Sequence, residues 1–309
     1  MSLTRFLVAA ACLAGISSEL AAESPIRSGF DSASLPGMDD GSSTAQPLGF
    51  TVDFFGQTFS SVFVNSNGNV TFGAPLSDFT PVPLGQLNSM VIAPFFADVD
   101  TTFRGIIQYG TGTVDRRPAF AATWRGVDFY GGRGNLLNDF QLLLIDRSDT
   151  GRGNFDVEFN YAQVVWESGD FNGGVAGRGG SSARIGFTNG TAAPGTFYEL
   201  PGSGIPGAFL DNGPGETALI LNSLNSDQLG RYRFFGRDGV LTSRQPDGGN
   251  SPPEMESPTP GPRPGPEGIG AAEPGTLTLA GLGGALLALL RLSRQNLASF
   301  GLTAGFRFG

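Results

Sequence analysis

The chain has 309 residues, a formal net charge of −9, one cysteine and no histidine, and all 19 of its cationic side chains are arginines. Without histidine, the Ser-His-Asp and Cys-His nucleophile systems and histidine-ligated zinc are excluded. A protein this acidic, with arginines scattered along its sequence, should also be repelled by nucleic acid, so no nucleic-acid partner is expected.

The first 22 residues have the layout of a secretory signal peptide. Arg5 precedes an apolar run over residues 6–16, and Ala22 supplies the small residue that signal peptidase requires before its cleavage site. The mature chain would then begin with an N-terminal extension over residues 23–46. Because Cys12 is removed with the leader, no disulfide can support the mature protein, and its core must be large enough to be stable alone.

Residues 47–236 carry the pattern of an all-β domain. Ten short segments there alternate apolar and polar residues and are separated by Gly, Asn and Asp. The segments are FTVDFFG, SVFVNSNGNVTFG, VIAPFFADVD, GIIQYG, FAATWRGVDFY, DFQLLLID, FDVEFNYAQVVW, ARIGFTNG, TALILN and RYRFFG. Asn67-Gly68 predicts a tight hairpin turn. The sequence therefore predicts one β-sandwich-type domain with a core rich in phenylalanine.

Several of these segments, taken in order, resemble the NIDO domain, the nidogen-type extracellular module. The resemblance runs from VDFFGQTFSSVFVNSNGNVTFG through MVIAPFFADVDT, GIIQYG and FAATWRGVDFY to NDFQLLLIDRSDTGRGNFDVEFNYAQVVWESGD and ARIGFTNGTAAPGTFYELPGSG. It covers residues 47–236 and implies an extracellular module of cell-matrix adhesion without enzymatic activity.

Asp98 and Asp100, in the segment FFADVDT, are the candidate metal ligands. Residues two apart on a strand share a face, and paired carboxylates suit calcium, which takes six to eight oxygen ligands. Distant residues such as Asp139, Asp170 or Asn172 would have to complete the shell. The alternative, which we favour, is that the two aspartates cap turns or pair with Arg104, in which case the protein has no cofactor.

Aromatic and acidic residues suggest two further functions. Trp124 and Trp166 would suit a surface carbohydrate-binding site, although their apolar neighbours favour a place in the core. Glu158 and Glu167 could serve as the acid and base of a secreted glycoside hydrolase. Neither has a sequence neighbour that would obviously raise its pKa, so we expect no catalysis.

The C-terminal region predicts a sorting signal. A Pro/Gly-rich linker over residues 237–272 precedes Glu273-Pro274-Gly275, an apolar helix long enough to approach a membrane span, and the basic pair Arg291 and Arg294. Residues 273–294 resemble the PEP-CTERM signal of exopolysaccharide-producing bacteria, which implies processing by a membrane protease, an exosortase. Residues 295–309 form a tail.

Taken together, the sequence predicts an exported adhesion protein. It would be held briefly by its C-terminal membrane helix and then released to the cell surface or the extracellular matrix, where its partner would be a matrix component or exopolysaccharide.

Overall fold

The structure, a computed structural model, describes residues 24–213 and 216–246. Within these residues the chain forms fourteen strands and three single-turn 3-10 helices. The strands are β1 (Ala33–Leu35), β2 (Gln46–Phe54), β3 (Gln57–Asn65), β4 (Asn69–Phe72), β5 (Met90–Phe96), β6 (Val99–Asp100), β7 (Ile106–Val114), β8 (Arg117–Phe129), β9 (Asn138–Asp146), β10 (Phe155–Gln163), β11 (Arg184–Thr188), β12 (Phe197–Glu199), β13 (Arg231–Arg237) and β14 (Val240–Thr242). The 3-10 turns are Leu84–Gln86, Asp170–Asn172 and Leu219–Leu221.

The strands form two antiparallel sheets, which confirms the all-β prediction. An eight-stranded sheet has the order β1-β7-β8-β9-β10-β13-β14, with β6 paired to β8. A six-stranded sheet has the order β12-β11-β5-β4-β3-β2. Among the described strands, eight of the twelve pairs join strands that are consecutive in the chain, as is common in antiparallel sheets; the exceptions are β1–β7, β5–β11, β6–β8 and β10–β13.

Nine of the ten predicted segments contain strands. The exception is TALILN, residues 217–222, which forms the 3-10 turn Leu219–Leu221 instead. Its first apolar residues, Ala218 and Leu219, are buried but do not pair with another strand. Leu221 is exposed. Periodicity did not predict β1, β12 or β14, because a three-residue strand is too short to show an alternation.

One aromatic cluster joins the two sheets. The ring of Phe95, on β5 of the smaller sheet, lies 5.2 Å from that of Phe140 on β9 and 5.6 Å from that of Trp166. Trp124 stacks on Phe140 from the other side, with 5.1 Å between ring centroids. All four side chains are fully buried. Each buried aromatic contributes roughly 1.5–3 kcal/mol by removing its surface from water, and no disulfide supports this region.

A buried turn between β3 and β4 packs tightly against the neighbouring strand β5 of the smaller sheet. Gly68 has φ +69°, and the Asn65↔Asn69 pairing closes the predicted hairpin between β3 and β4. The amide of Phe95 donates to the Gly68 carbonyl at 3.1 Å, and a Cβ at Gly68 would collide with the Phe95 carbonyl oxygen. Only glycine combines the positive φ with this close approach. The hairpin turn predicted at Asn67-Gly68 is confirmed.

The segment before β2 is part of the folded unit. Strand β1 pairs with β7, and Phe30 packs on a second apolar cluster that includes Leu143 and Ile145. This cluster lies on the face of the eight-stranded sheet turned away from the main core, which we call the outer face. Arg27 also reaches this face and pairs with Glu158. The folded unit therefore takes in residues 24–46 as well as the range 47–236. It also includes β14, which pairs with β13, so the linker predicted over residues 237–272 begins too early.

The predicted signal peptide, residues 1–22, and the predicted membrane helix within 273–294 lie outside the described residues. In the part of the chain that the structure does describe, no helix is long and apolar enough to cross a membrane.

A fragment of residues 24–246 should unfold cooperatively, and reductant should not change its melting temperature because it contains no cysteine. A shorter fragment, 47–236, loses Phe30 and one ion-pair partner of Glu158, so its free energy of unfolding should be lower by at least about 3 kcal/mol. Chemical denaturation of the two fragments measures the difference. Equal stabilities would show that residues 24–46 add nothing to the fold.

Candidate functional site

Asp98 and Asp100 lie where β5 passes into the short strand β6. Asp98 is only 2% exposed, whereas Asp100 is partly exposed. The side-chain amide of Asn172 donates to Asp98 Oδ2 at 3.0 Å, and the backbone amide of Thr102 donates to Asp100 Oδ1 at 2.7 Å. The second contact is an Asx turn of the kind that the capping interpretation expects.

The structure brings some of the predicted supporting residues to Asp98 and leaves others elsewhere. Asn172 makes direct contact with it, and Asp170 is close enough to act on its charge. Asp139 instead accepts a hydrogen bond from the Gly126 amide at 2.8 Å. Arg104 makes no ion pair with a described residue, so the suggested pairing with Asp98 or Asp100 is not formed.

Two aspartates that the sequence analysis did not consider complete the cluster. Carboxylate oxygens of Asp39, Asp40 and Asp98 all lie within 4.8 Å of one another. Asp40 is held by the side-chain amide of Asn67 at 2.8 Å, and the same Asn67 accepts from the Val99 amide at 3.0 Å. The buried turn between β3 and β4 thus ties the Asp39-Asp40 loop to Asp98. The adjacent aspartates in the sequence MDDG were the feature that could have pointed to this cluster.

A glycine leaves space for the Asp98 carboxylate. A Cβ at Gly169 would collide with Asp98 Oδ2. The loop that carries Gly169 is fixed to the same region by two backbone contacts, since the Asp170 amide donates to Tyr130 and the Tyr130 amide donates to Asp98. Any side chain at position 169 would displace the carboxylate from the cluster.

The acidic cluster raises the pKa values of its members. Burial, followed by the charges of Asp39, Asp40, Asp100 and Asp170, raises the pKa of Asp98 to about 7. Burial and the charges of Asp40 and Asp100 raise the pKa of Asp39 to about 6. Near neutral pH, Asp98 and Asp39 are therefore partly protonated, and the cluster carries less than its full negative charge. Three carboxylates also supply oxygens of the type that hard cations prefer, although fewer than calcium needs.

We expect Asp98→Asn to stabilise the protein at pH 8 and to have little effect at pH 4. A pKa raised from 3.8 to about 7 gives stability that is fully present below about pH 4 and is lost as the pH rises through 7. Thermal melts across this range test it, with the exposed Asp31→Asn as the control. A variant that is less stable than wild type at pH 8 would contradict the prediction.

Removal of divalent cations should change the melting temperature little, because Asp98 and Asp100 already accept hydrogen bonds from Asn172 and Thr102. A bound ion would instead stabilise the protein by about 2.7 kcal/mol at a hundredfold excess over its Kd. Melts with chelator and with excess calcium measure this at pH 8. A calcium-dependent rise that disappears in Asp98→Asn would make these aspartates ligands.

Both tryptophans belong to the core, as their apolar neighbours predicted. Trp124 and Trp166 have no exposed surface, and their indole N–H groups donate to the carbonyls of Ser66 and Val127 at 2.9 and 3.0 Å. The alternative interpretation, a carbohydrate-stacking surface made of these two residues, is wrong because neither ring is accessible.

Glu158 and Glu167 are both buried acceptors within the fold. Burial alone would raise the pKa of Glu158, but hydrogen bonds from Arg27 and the charge of Arg231 bring it below its usual value. Glu167 accepts from the Gly207 amide at 2.7 and 2.8 Å, and burial raises its pKa despite these donors. Glu158 thus neutralises arginines on the outer face, while Glu167 holds loops together.

Comparison with known proteins gives a consistent family assignment. A family model described as NIDO related matches residues 21–209. Alpha-tectorin of Mus musculus is 36% identical over 225 residues, which cover 64% of this chain and 10% of that protein. Alpha-tectorin of Gallus gallus is 34% identical over 197 residues, covering 55% and 9%, and nidogen of Drosophila melanogaster is 26% identical over 182 residues, covering 50% and 12%.

The chain thus spans about a tenth of the length of these relatives. No solved structure matches it significantly.

Proposed function

The chain belongs to the NIDO-related family, and from that membership we propose that it is an exported protein whose β domain serves as a non-catalytic module of cell-matrix adhesion. The observation that carries the proposal is the family match over residues 21–209, together with the similarity to alpha-tectorin and nidogen over at least half of the chain. The proposed partner is a matrix component or exopolysaccharide.

The contacts of Glu158 and Glu167 agree better with a binding role than with catalysis. A glycoside hydrolase needs two carboxyls that face one substrate. Glu158 is instead 1% exposed and paired to Arg27 at 2.6 Å, and Glu167 is 1% exposed and held by backbone amides. These contacts support adhesion over the hydrolase alternative.

A surface carbohydrate-binding protein is the second candidate, and exposed aromatic rings beside the acidic cluster favour it. Phe103 is 87% exposed and lines a pocket with Asp100 and Asp128. Phe171, which follows Asp170, is 72% exposed. Aromatic faces next to carboxylates offer both stacking and hydrogen bonding to a sugar.

The adhesion proposal can be tested with the full chain in its host. Cells that lack the protein should attach poorly to their own matrix, and the wild-type chain should restore attachment. Incubation of the purified chain with matrix polysaccharide should give binding without release of new reducing ends. Unchanged attachment in the deletion strain would refute adhesion, and release of reducing ends would instead indicate a hydrolase.

We propose further that export begins with cleavage after Ala22 and ends with exosortase processing at Glu273-Pro274-Gly275. The membrane helix that follows this motif would hold the precursor, and the Pro/Gly-rich part of the sequence after β14 would keep the motif accessible. The support for this proposal is the order of motif, apolar span and basic residues in the sequence. The mature protein would then reach the cell surface or the extracellular matrix.

Replacing Glu273 and Pro274 with alanine should block processing but leave the stability of the β domain within about 0.5 kcal/mol of wild type. Positions 273 and 274 follow the last described residue, 246, in the sequence, and so are not among the residues that form the described β domain. Fractionation and intact-mass measurement in the native host should show an uncut, membrane-retained precursor. Normal cutting and release of the variant would mean that the span is an ordinary anchor.

A further inference from the structure

Arginines that are scattered in the sequence gather on the outer face of the eight-stranded sheet. A shallow groove of about 90 Å³ there is lined by five arginines and three carboxylates, a local excess of positive charge on a chain whose net charge is −9. The arginines come from the N-terminal segment, the β7–β8 hairpin, the end of β9 and β13. Low-dielectric walls around such a groove focus its potential on small anions.

Two of the carboxylates in the groove are already neutralised. Glu158 pairs with Arg27 at 2.6 Å and with Arg231 at 3.2 Å. Asp156 pairs with Arg237 at 2.6 Å and with Arg147 at 2.9 Å. Both acids are nearly inaccessible, so these four arginines are required to hold a buried charge, and a ligand would gain less from them.

Arg117 and Arg233 are more exposed than these four arginines and are paired more weakly. Their side chains are 40% and 36% exposed, and among the described residues each makes one ion pair. The partner of Arg117 is the exposed Asp149, while Arg233 reaches Asp156 only at 3.4 Å. The exposed pair of Arg117 with Asp149 contributes little energy. Buried Asp156 keeps Arg147 and Arg237 at 2.9 and 2.6 Å when Arg233 leaves it, so both Arg117 and Arg233 can turn to a stronger acceptor at small cost.

We propose that this groove binds the carboxylate or sulfate groups of an acidic polysaccharide, with Arg117 and Arg233 as the contact residues. A guanidinium group presents a planar fork that matches such oxyanions in a bidentate manner. The groove is also lined by Val114, Ile145 and the Ser226 hydroxyl, which suit the C–H faces and hydroxyls of a sugar ring.

The charge distribution favours a glycan over nucleic acid. Duplex DNA carries a charge about every 1.7 Å and needs an extended basic surface. Here the positive groove is local, and Asp115 at its edge and Asp149 beside it would repel a densely charged chain. A polymer with one charge per sugar unit can place that charge in the groove alone. The choice of a matrix glycan as ligand rests on the proposed adhesion function.

The test compares Arg117→Gln and Arg233→Gln, singly and together, with Arg125→Gln in the full chain. Arg125 lies eight residues from Arg117 along the same strand, about 26 Å away, and is exposed outside the groove. Removing Arg233 leaves Asp156 paired with Arg147 and Arg237, so the variants should keep the wild-type melting temperature. Arg117→Lys, which keeps the charge but loses the fork, should be intermediate.

Binding is measured to polygalacturonate, dextran sulfate, neutral dextran and a single-stranded oligonucleotide at low and high salt. Wild type and Arg125→Gln should bind one or both acidic polysaccharides, but not dextran, and high salt should weaken the binding. Each groove substitution should weaken it about tenfold, as expected for loss of a charge-assisted hydrogen bond. A preference between the two acidic polymers identifies carboxylate or sulfate as the group bound.

A double variant that binds as Arg125→Gln does would overturn the proposal, as would equal binding of dextran or tighter binding of the oligonucleotide. The outcome is separable from that of the adhesion test. If acidic glycans bind at the groove but cells without the protein still attach, adhesion fails and the groove stands. If attachment needs the protein but the double variant restores it fully, the groove fails and adhesion stands.

Discussion

Arginine is the only cationic side chain in this protein, so the state of every buried carboxylate depends on whether a guanidinium group reaches it. On the outer face of the large sheet, Asp156 and Glu158 each receive at least two arginines. At the Asp39-Asp40-Asp98 cluster no described arginine forms an ion pair, and burial with mutual repulsion raises the pKa of Asp98 to about 7. Arginine thus makes the outer face cationic. The surface at the Asp39-Asp40-Asp98 cluster stays acidic because no described arginine forms an ion pair there.

The two surfaces are held in place by different parts of the core. The buried turn at Asn67-Gly68 carries the acidic cluster, because Asn67 bonds both Asp40 and Val99 while Gly68 contacts Phe95 of the neighbouring strand β5. The outer face depends instead on residues 24–32, which place Arg27 and Phe30 over β9 and β10. The described domain contains no cysteine, and side-chain amides and guanidinium groups link its distant segments instead.

Much of the fold could be predicted from the sequence, because the strands alternate cleanly and the turn at Asn67-Gly68 needs a specific backbone conformation. The surfaces could not. Asp40 meets Asp98 only through the pairing of distant segments, and no local pattern encodes that contact. Arg231 and Arg233 of β13 lie on one face of their strand because they are two residues apart, as do Asp156 and Glu158 of β10, but in the sequence the arginines are simply scattered. The groove that these residues share could be predicted only with the strand order, which the periodicity of the sequence does not reveal.

The proposed binding surface is the arginine groove on the outer face. Hydrogen–deuterium exchange of the full chain, with and without the acidic polysaccharide that it binds best, tests this directly. Exchange should slow in residues 114–117 and 231–233, which carry the two contact arginines, and should not change around residues 98–104 and 169–175. Slower exchange confined to the residues around the acidic cluster, near Phe103 and Phe171, would contradict this proposal. It would place the ligand at the acidic surface instead of the arginine groove.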